Sequence, residues 1–205
     1  MTARLGLFGG TFDPIHFGHL IAARSVAEQL PLDRVLLIPS AAPPHKPPAA
    51  LTAAPHRLEM VRRAVAADPL FEVSDIELRR AGPSYTIDTV SELRLRLGPD
   101  ARLFWIVGAD SLPELAGWSR VRQLVETVEI IVAARPGWDA PDLSALRAAV
   151  GDAAVETLLQ RCLQTPRIEI SASEIRTRLA AGRPVRYLLP DAVADYAIQH
   201  RLYRG

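Results

Sequence analysis

A single cysteine, Cys162, has no partner elsewhere in the 205 residues. That excludes an internal disulfide framework and points to a reducing, cytoplasmic compartment. Neither sign of charge prevails. Twenty-four basic and 23 acidic side chains leave a formal charge of +1, which argues against a nucleic-acid groove or a polybasic membrane face. No uncharged stretch approaches the roughly 18 residues of a membrane span, and the opening Met1-Thr-Ala-Arg-Leu-Gly-Leu-Phe lacks the apolar length of a signal peptide. Internal repeats and low-complexity linkers are missing as well. What is present is a globular composition, 49% hydrophobic and 23% charged. At this size folding buries about 70% of the chain's surface, enough for one core without disulfides or structural metals. One domain over residues 1–205 is the expectation.

Short β-type runs alternate with helical patterns. Strands are expected at Arg4–Phe8, Val35–Pro39, Leu70–Ser74, Leu103–Gly108, Val128–Ala133 and Arg167–Ile170. Between them, Leu20, Ile21, Val26, Ala27 and Leu30 share one helical stripe, and Leu58, Val61 and Val65 share another. Ile87, Val90, Leu93 and Leu97 form a third, and Val193, Tyr196 and Ala197 a fourth. Residues 136–164 are Ala/Leu-rich and read as helical. Alternation of this kind predicts an α/β fold, a doubly wound, mainly parallel sheet with helices on both faces. In such sheets ligands bind beyond the carboxyl ends of the strands, where the strand order reverses.

The most informative segment is Leu7-Phe-Gly-Gly-Thr-Phe-Asp-Pro-Ile-His-Phe-Gly-His-Leu. A strand ends near Phe8, and Gly9 and Gly10 follow where the backbone must turn or approach a ligand. A helix then begins near Phe17. Its leading N–H groups and dipole favour an anion, and His16 and His19, three residues apart, can face one spot there. Two imidazoles at a phosphate-seeking helix end point to phosphoryl or nucleotidyl transfer. The same histidines with Asp13 could instead hold a metal, although the spacing is not His-Glu-x-x-His. They could also serve only as caps. No Gly-x-Gly-x-x-Gly and no Gly-Lys-Ser/Thr is present.

A second anion-seeking helix start is Ile170-Ser-Ala-Ser-Glu-Ile-Arg. Ser171 and Glu174 have capping-box spacing, and Arg176 offers a guanidinium suited to phosphate oxygens. Three further segments fall in loops. Pro43-Pro-His-Lys carries His45 and Lys46 on a proline-stiffened connection. Pro83-Ser-Tyr-Thr precedes a helix, with Ser84 or Thr86 as possible N-caps. Gly108-Ala-Asp-Ser-Leu follows a strand, with Asp110 in reach of a ribose hydroxyl and Trp118 able to stack on a heteroaromatic ring or to pack in the core.

Gly-Gly-Thr-Phe-Asp-Pro-Ile-His-Phe-Gly-His resembles the signature of the adenylyltransferases that share a His-x-Gly-His motif. The ordered set of the remaining motifs, with Arg135-Pro-Gly and the tail Tyr187-Leu-Leu-Pro-Asp-Ala-Val, is similar to the bacterial nicotinate mononucleotide adenylyltransferases almost end to end. The resemblance implies a Rossmann-like nucleotidyltransferase fold in which residues from about 171 to 205 complete the ATP site. It implies catalytic roles for His16, His19 and Arg176. Gly9, Gly10, Thr11, Phe12, Gly108, Asp110, Arg135, Ser171 and Ser173 would line ATP, with Ser173 standing where many relatives have threonine. His45, Lys46, Tyr85, Thr86 and Trp118 would hold the mononucleotide, the Tyr85-Thr86 pair at its carboxylate. Mg²⁺ would arrive with the ATP phosphates rather than in a protein cage, and the chain would act as a monomer or small homo-oligomer. Pantetheine-phosphate adenylyltransferases share the first motif but do not account for Pro-Ser-Tyr-Thr or Trp118. Nicotinamide mononucleotide as acceptor, or a non-catalytic nucleotide-binding regulator, are the other readings.

Overall fold

The computed structural model describes residues 3–44, 47 and 51–204. Among these residues there are six strands and eight α-helices: β1 (Arg4–Gly10), α1 (Phe17–Gln29), β2 (Arg34–Pro39), α2 (Ala54–Val65), β3 (Phe71–Val73), α3 (Thr86–Leu97) and β4 (Arg102–Gly108) come first. Then follow α4 (Val121–Thr127), β5 (Glu129–Ala134), α5 (Ser144–Val150), α6 (Asp152–Gln160), β6 (Cys162–Gln164), α7 (Ala172–Ala180) and α8 (Asp191–Gln199). The strands form one sheet in the order β3-β2-β1-β4-β5-β6, and β1/β4, β4/β5 and β5/β6 pair in parallel. This is the Rossmann-like α/β arrangement that the strand–helix alternation predicts, with its reversal of order between β1 and β4. No helix among the described residues is long and apolar enough to cross a membrane.

The chain forms two compact units, and it alternates between them. The first holds residues up to Gly9, Ala22–Val35 and Tyr85–Arg167, and so contains most of β1 with β4, β5 and β6. Its central strands are near-continuous apolar runs, Leu103–Val107 and Ile130–Val132, all buried. A strand covered on both faces needs such a run rather than alternation. The second holds Gly10–Ile21, Leu36–Ser84 and everything from Ile168 onward. There α2 buries Leu58, Met60, Val61 and Val65, and α8 buries Val193, Ala194, Tyr196 and Ala197. The two helices meet where Tyr196 Oη lies 2.9 Å from His56 Nδ1.

Three expectations need correction. The sixth strand is Cys162–Gln164, not Arg167–Ile170. Val132 N donates to Arg161 O, and Thr165 N to Ala134 O. Pro166 then has no N–H to continue the ladder, and the alternating Arg-Ile-Glu-Ile beyond it belongs to no strand. The helical stretch from 136 to 164 is really two short helices and this strand. Gly151, at φ +88°, ends α5 and starts α6, a backbone conformation that disfavours side chains with a Cβ. Leu97 is 43% exposed and lies outside the buried stripe of α3, which is Ile87, Thr89, Val90 and Leu93.

Candidate active site

In the second unit the signature segment folds into a tightly held turn. Ser40 N donates to Gly10 O at 2.8 Å, and the buried Phe12 sits at φ +48°. Left-handed backbone at a bulky residue is strained and persists only where its surroundings enforce it. A Cβ at Gly10 would lie 2.9 Å from the Phe12 ring, which is why glycine stands there. The anchor is Arg57, 1% exposed. Its Nη1 donates to Thr11 O at 2.7 Å, Nε to Thr52 O at 2.8 Å and Nη2 to Ala41 O at 3.2 Å. Three carbonyls satisfy a guanidinium that burial alone would make costly, with Asp13 and Glu77 supplying opposite charge nearby.

His16 and His19 stack with ring centroids 3.7 Å apart and planes 24° from parallel. His16 N donates to His19 Nδ1 at 3.3 Å, a contact that assigns the proton of a neutral His19 to Nε2. His16 is 6% exposed, and its Nδ1 is buried without a hydrogen-bond partner among the described residues. Burial lowers its pKa to about 4, so the imidazole is neutral near pH 7. A Cβ at Gly18 would approach the His16 ring to 3.0 Å. The glycine between the histidines therefore leaves room for the imidazole at the start of α1. Phe17 N is already bonded to Leu188 O at 3.1 Å, so not every leading N–H of that helix awaits an anion.

The second motif reaches the same turn. Arg176 Nη1 donates to Asp13 O at 2.7 Å, and Nη2 to Ser173 Oγ at 3.3 Å. Ser171 Oγ accepts from Glu174 N at 3.1 Å and caps α7 as its spacing predicts. Asp13 is not arranged as a metal ligand. It is 4% exposed, its Oδ1 accepts from Tyr203 Oη at 2.7 Å, and its Oδ2 from Thr52 N at 3.1 Å. Among the described residues no group of three His, Cys, Asp or Glu side chains could hold a metal ion.

The first unit carries the other candidates. Gly9 packs under Trp105, whose ring a Cβ would meet at 2.6 Å, so internal packing alone already requires a glycine there. Gly108 closes β4 and leads into a 3₁₀ turn, Ala109–Ser111. Asp110, with its side chain 79% exposed, pairs with Arg135 at 3.1 Å. Trp118 is half-buried at the end of a second turn, Pro113–Gly117, and so is not a core tryptophan. Tyr85 and Thr86 are half-buried at the start of α3. That helix has no side-chain N-cap. Ser84 instead accepts from Ala41 N and Ala42 N, at 3.1 and 3.2 Å. Asp88, in the first turn of α3, pairs with Arg120, which brings a guanidinium to the helix start. His45 and Lys46 lie outside the described residues.

Residues 7–178 match the model of the cytidylyltransferase-like family. A nicotinate-nucleotide adenylyltransferase of Thermus thermophilus is 46% identical over 201 residues, spanning 98% of this chain and 100% of that one. The chain belongs to the nicotinate-nucleotide adenylyltransferases. Another member, from Symbiobacterium thermophilum, is 43% identical, covering 98% of this chain and 95% of its own. The fold is also that of a Plasmodium falciparum nicotinic acid mononucleotide adenylyltransferase solved with NaAD. It superposes with a TM-score of 0.76 at 19% identity, over 98% of this chain and 97% of that one.

In this nicotinate-nucleotide adenylyltransferase, reasoning from motifs overlooked three groups. Arg57 was legible, because it falls on the same helical stripe as Val61 and Val65, four and eight residues on, where an arginine needs a reason. Arg120, two residues past Trp118, carried no comparable signal. Tyr203 falls in Leu202-Tyr-Arg, which resembles the family's C-terminus, but nothing in that run pointed to its partner Asp13, 190 residues away in the sequence.

Proposed function

We propose that this chain transfers the adenylyl group of ATP to nicotinate mononucleotide, giving deamido-NAD and pyrophosphate as a step of NAD biosynthesis. An oxygen of the acceptor's 5′-phosphate attacks the α-phosphorus of ATP in line. The bond from that phosphorus to the oxygen bridging toward the β-phosphate breaks, and pyrophosphate leaves with the electron pair. The nucleophile is already anionic, so neither a covalent enzyme intermediate nor a general base is needed. Catalysis is then positioning plus stabilisation of developing charge.

The observation that carries this reading is the stacked His16–His19 pair beside a turn that also receives Arg176. Stacked at the start of α1, the two imidazoles can present N–H groups to phosphate oxygens, with His16 neutral near pH 7. Arg176 supplies the permanent charge, and Ser173, Ser171, Gly10, Thr11 and Phe12 complete the ATP side. Its bond to Asp13 supports the view that residues 171–205 complete the ATP site of a single domain. Mg²⁺ would arrive on the ATP phosphates and neutralise their charge. The donors around the turn are mostly N–H groups, which suits phosphate oxygens rather than a bare cation.

For the acceptor, Trp118 would stack on the pyridine ring and Tyr85 with Thr86 would receive the carboxylate. Arg120 at that helix start is balanced by Asp88, so the half-buried Tyr85 and Thr86 with the leading N–H groups of α3 are what suit an anionic group there. His45 and Lys46 would hold the mononucleotide phosphate, while Gly9, Gly108, Asp110 and Arg135 would serve the adenosine. The partners are small molecules, and the chain would work in the cytoplasm as a monomer or small homo-oligomer.

Pyrophosphate release with ATP and Mg²⁺ tests this, run in parallel with nicotinate mononucleotide, nicotinamide mononucleotide and phosphopantetheine. Preference for the nicotinate compound is expected. Preference for nicotinamide would remove the carboxylate site, and release with none of the three would refute adenylyl transfer.

A further inference from the structure

Asp13 is the one buried carboxylate in the signature turn, and its position creates a problem for the ATP site. Its main-chain carbonyl accepts from Arg176 Nη1 at 2.7 Å, so guanidinium and carboxylate belong to neighbouring parts of the same small region. A free carboxylate there would itself pair with Arg176, as a bidentate arginine partner in competition with phosphate. The carboxylate is prevented from doing so by two donors. Thr52 N holds Oδ2 at 3.1 Å, and the phenol of Tyr203 holds Oδ1 at 2.7 Å.

The Tyr203 hydroxyl also contacts Met60 Sδ at 3.9 Å and bonds the Thr52 side chain. Burial and the Asp13 charge push its pKa far above the usual phenol range, so it remains a donor at any working pH. The chain goes to some length to deliver this group. Arg201 and Tyr203 both adopt left-handed backbone, φ +52° and +66°, at non-glycine residues where that conformation costs energy. Strain on both sides of the contact, at Phe12 and at Tyr203, is what a constrained site rather than a casual surface bond would show.

From this we infer that Tyr203 is a positioning residue for the ATP site: its phenol holds the Asp13 carboxylate away from Arg176 and so leaves that guanidinium available to the ATP phosphates. The inference rests on the reading of Arg176 as an ATP ligand. It differs from a stability role in being selective for one substrate. Losing the hydroxyl should weaken ATP and leave the acceptor alone, because Arg57, the other cation near that carboxylate, already spends its guanidinium on three carbonyls.

Tyr203→Phe keeps the ring and its packing and removes the donor. Calorimetric titration with ATP should show about tenfold weaker binding, of the size expected when one charged group is diverted to an internal partner. KM for nicotinate mononucleotide should stay within twofold. Adding Asp13→Asn to that variant removes the competing charge and should recover ATP affinity, whereas a protein merely loosened would lose more. Tyr196→Phe removes the α8 hydroxyl that meets His56 of α2 and should bind ATP as the unmodified chain does. Tyr203→His, which retains a ring N–H, covers the case of poor folding by the phenylalanine variant and should bind ATP within threefold of the unmodified chain. ATP affinity of folded Tyr203→Phe within twofold of normal overturns the inference. So does an equal loss in Tyr196→Phe, a further loss with Asp13→Asn, or a tenfold loss in Tyr203→His. If the unmodified chain itself fails to bind ATP, the reading of the site falls, which is a distinct result.

Discussion

His16 shows how burial can decide a protonation state that sequence leaves open. Its pKa lowered to about 4 by desolvation, against the ordinary 6.5, means that the unfolded chain takes up a proton between those values while the folded one does not. Stability from this group is therefore fully present above pH 6.5 and is lost as the pH falls toward 4, by about 3 kcal/mol in total. Urea denaturation of His16→Asn between pH 4 and 7 should show a flatter pH dependence than the unmodified chain. An unchanged slope would mean that His16 titrates normally. At Trp118, half-buried rather than packed in the core, replacement by alanine should raise KM for the mononucleotide about tenfold or more and leave thermal stability almost untouched, as loss of one ring-stacking contact would. Steady-state kinetics with a melting curve separates that from a folding defect.

Among the elements, α7 and β6 differ in how openly the sequence announced them. Ser171 and Glu174 stand at cap spacing before Ile175 and Leu179, and the structure forms that cap at 3.1 Å. Ser171→Ala should cost about 1 kcal/mol of stability, read as a shift in denaturation midpoint at constant slope. A larger fall in kcat than in stability would point to a direct phosphate contact. The strand β6 was harder to see. Its three residues, Cys-Leu-Gln, are too short for any periodicity, and it is defined by ladder bonds to β5 on either side of it. Arg167–Ile170 has the alternation of a strand without being one, and Pro166 before it has no N–H to offer a ladder. Pattern reveals which residues prefer extended backbone, while pairing decides which of them become sheet.

For the whole molecule, the parallel α/β order followed from alternation, and the signature turn could be placed at the end of the first strand before any coordinates. Binding motifs were legible because phosphate chemistry needs glycines, imidazoles and a guanidinium at short, fixed spacings. What holds those motifs in place was not legible, because Arg57 reaches Thr11 across 46 residues and Tyr203 reaches Asp13 across 190. Such contacts have no local signature.

The way the chain shuttles between its two compact units has a further consequence. Six alternating stretches make five crossings, so no single cut separates one unit from the other. A protease that nicks between α7 and α8 releases a piece of the second unit but leaves the rest of that unit joined to the first. Neither unit could be cloned alone, exchanged with a relative or added by fusion at an end. Exchanging one unit for its counterpart elsewhere would mean rejoining the chain at all five crossings.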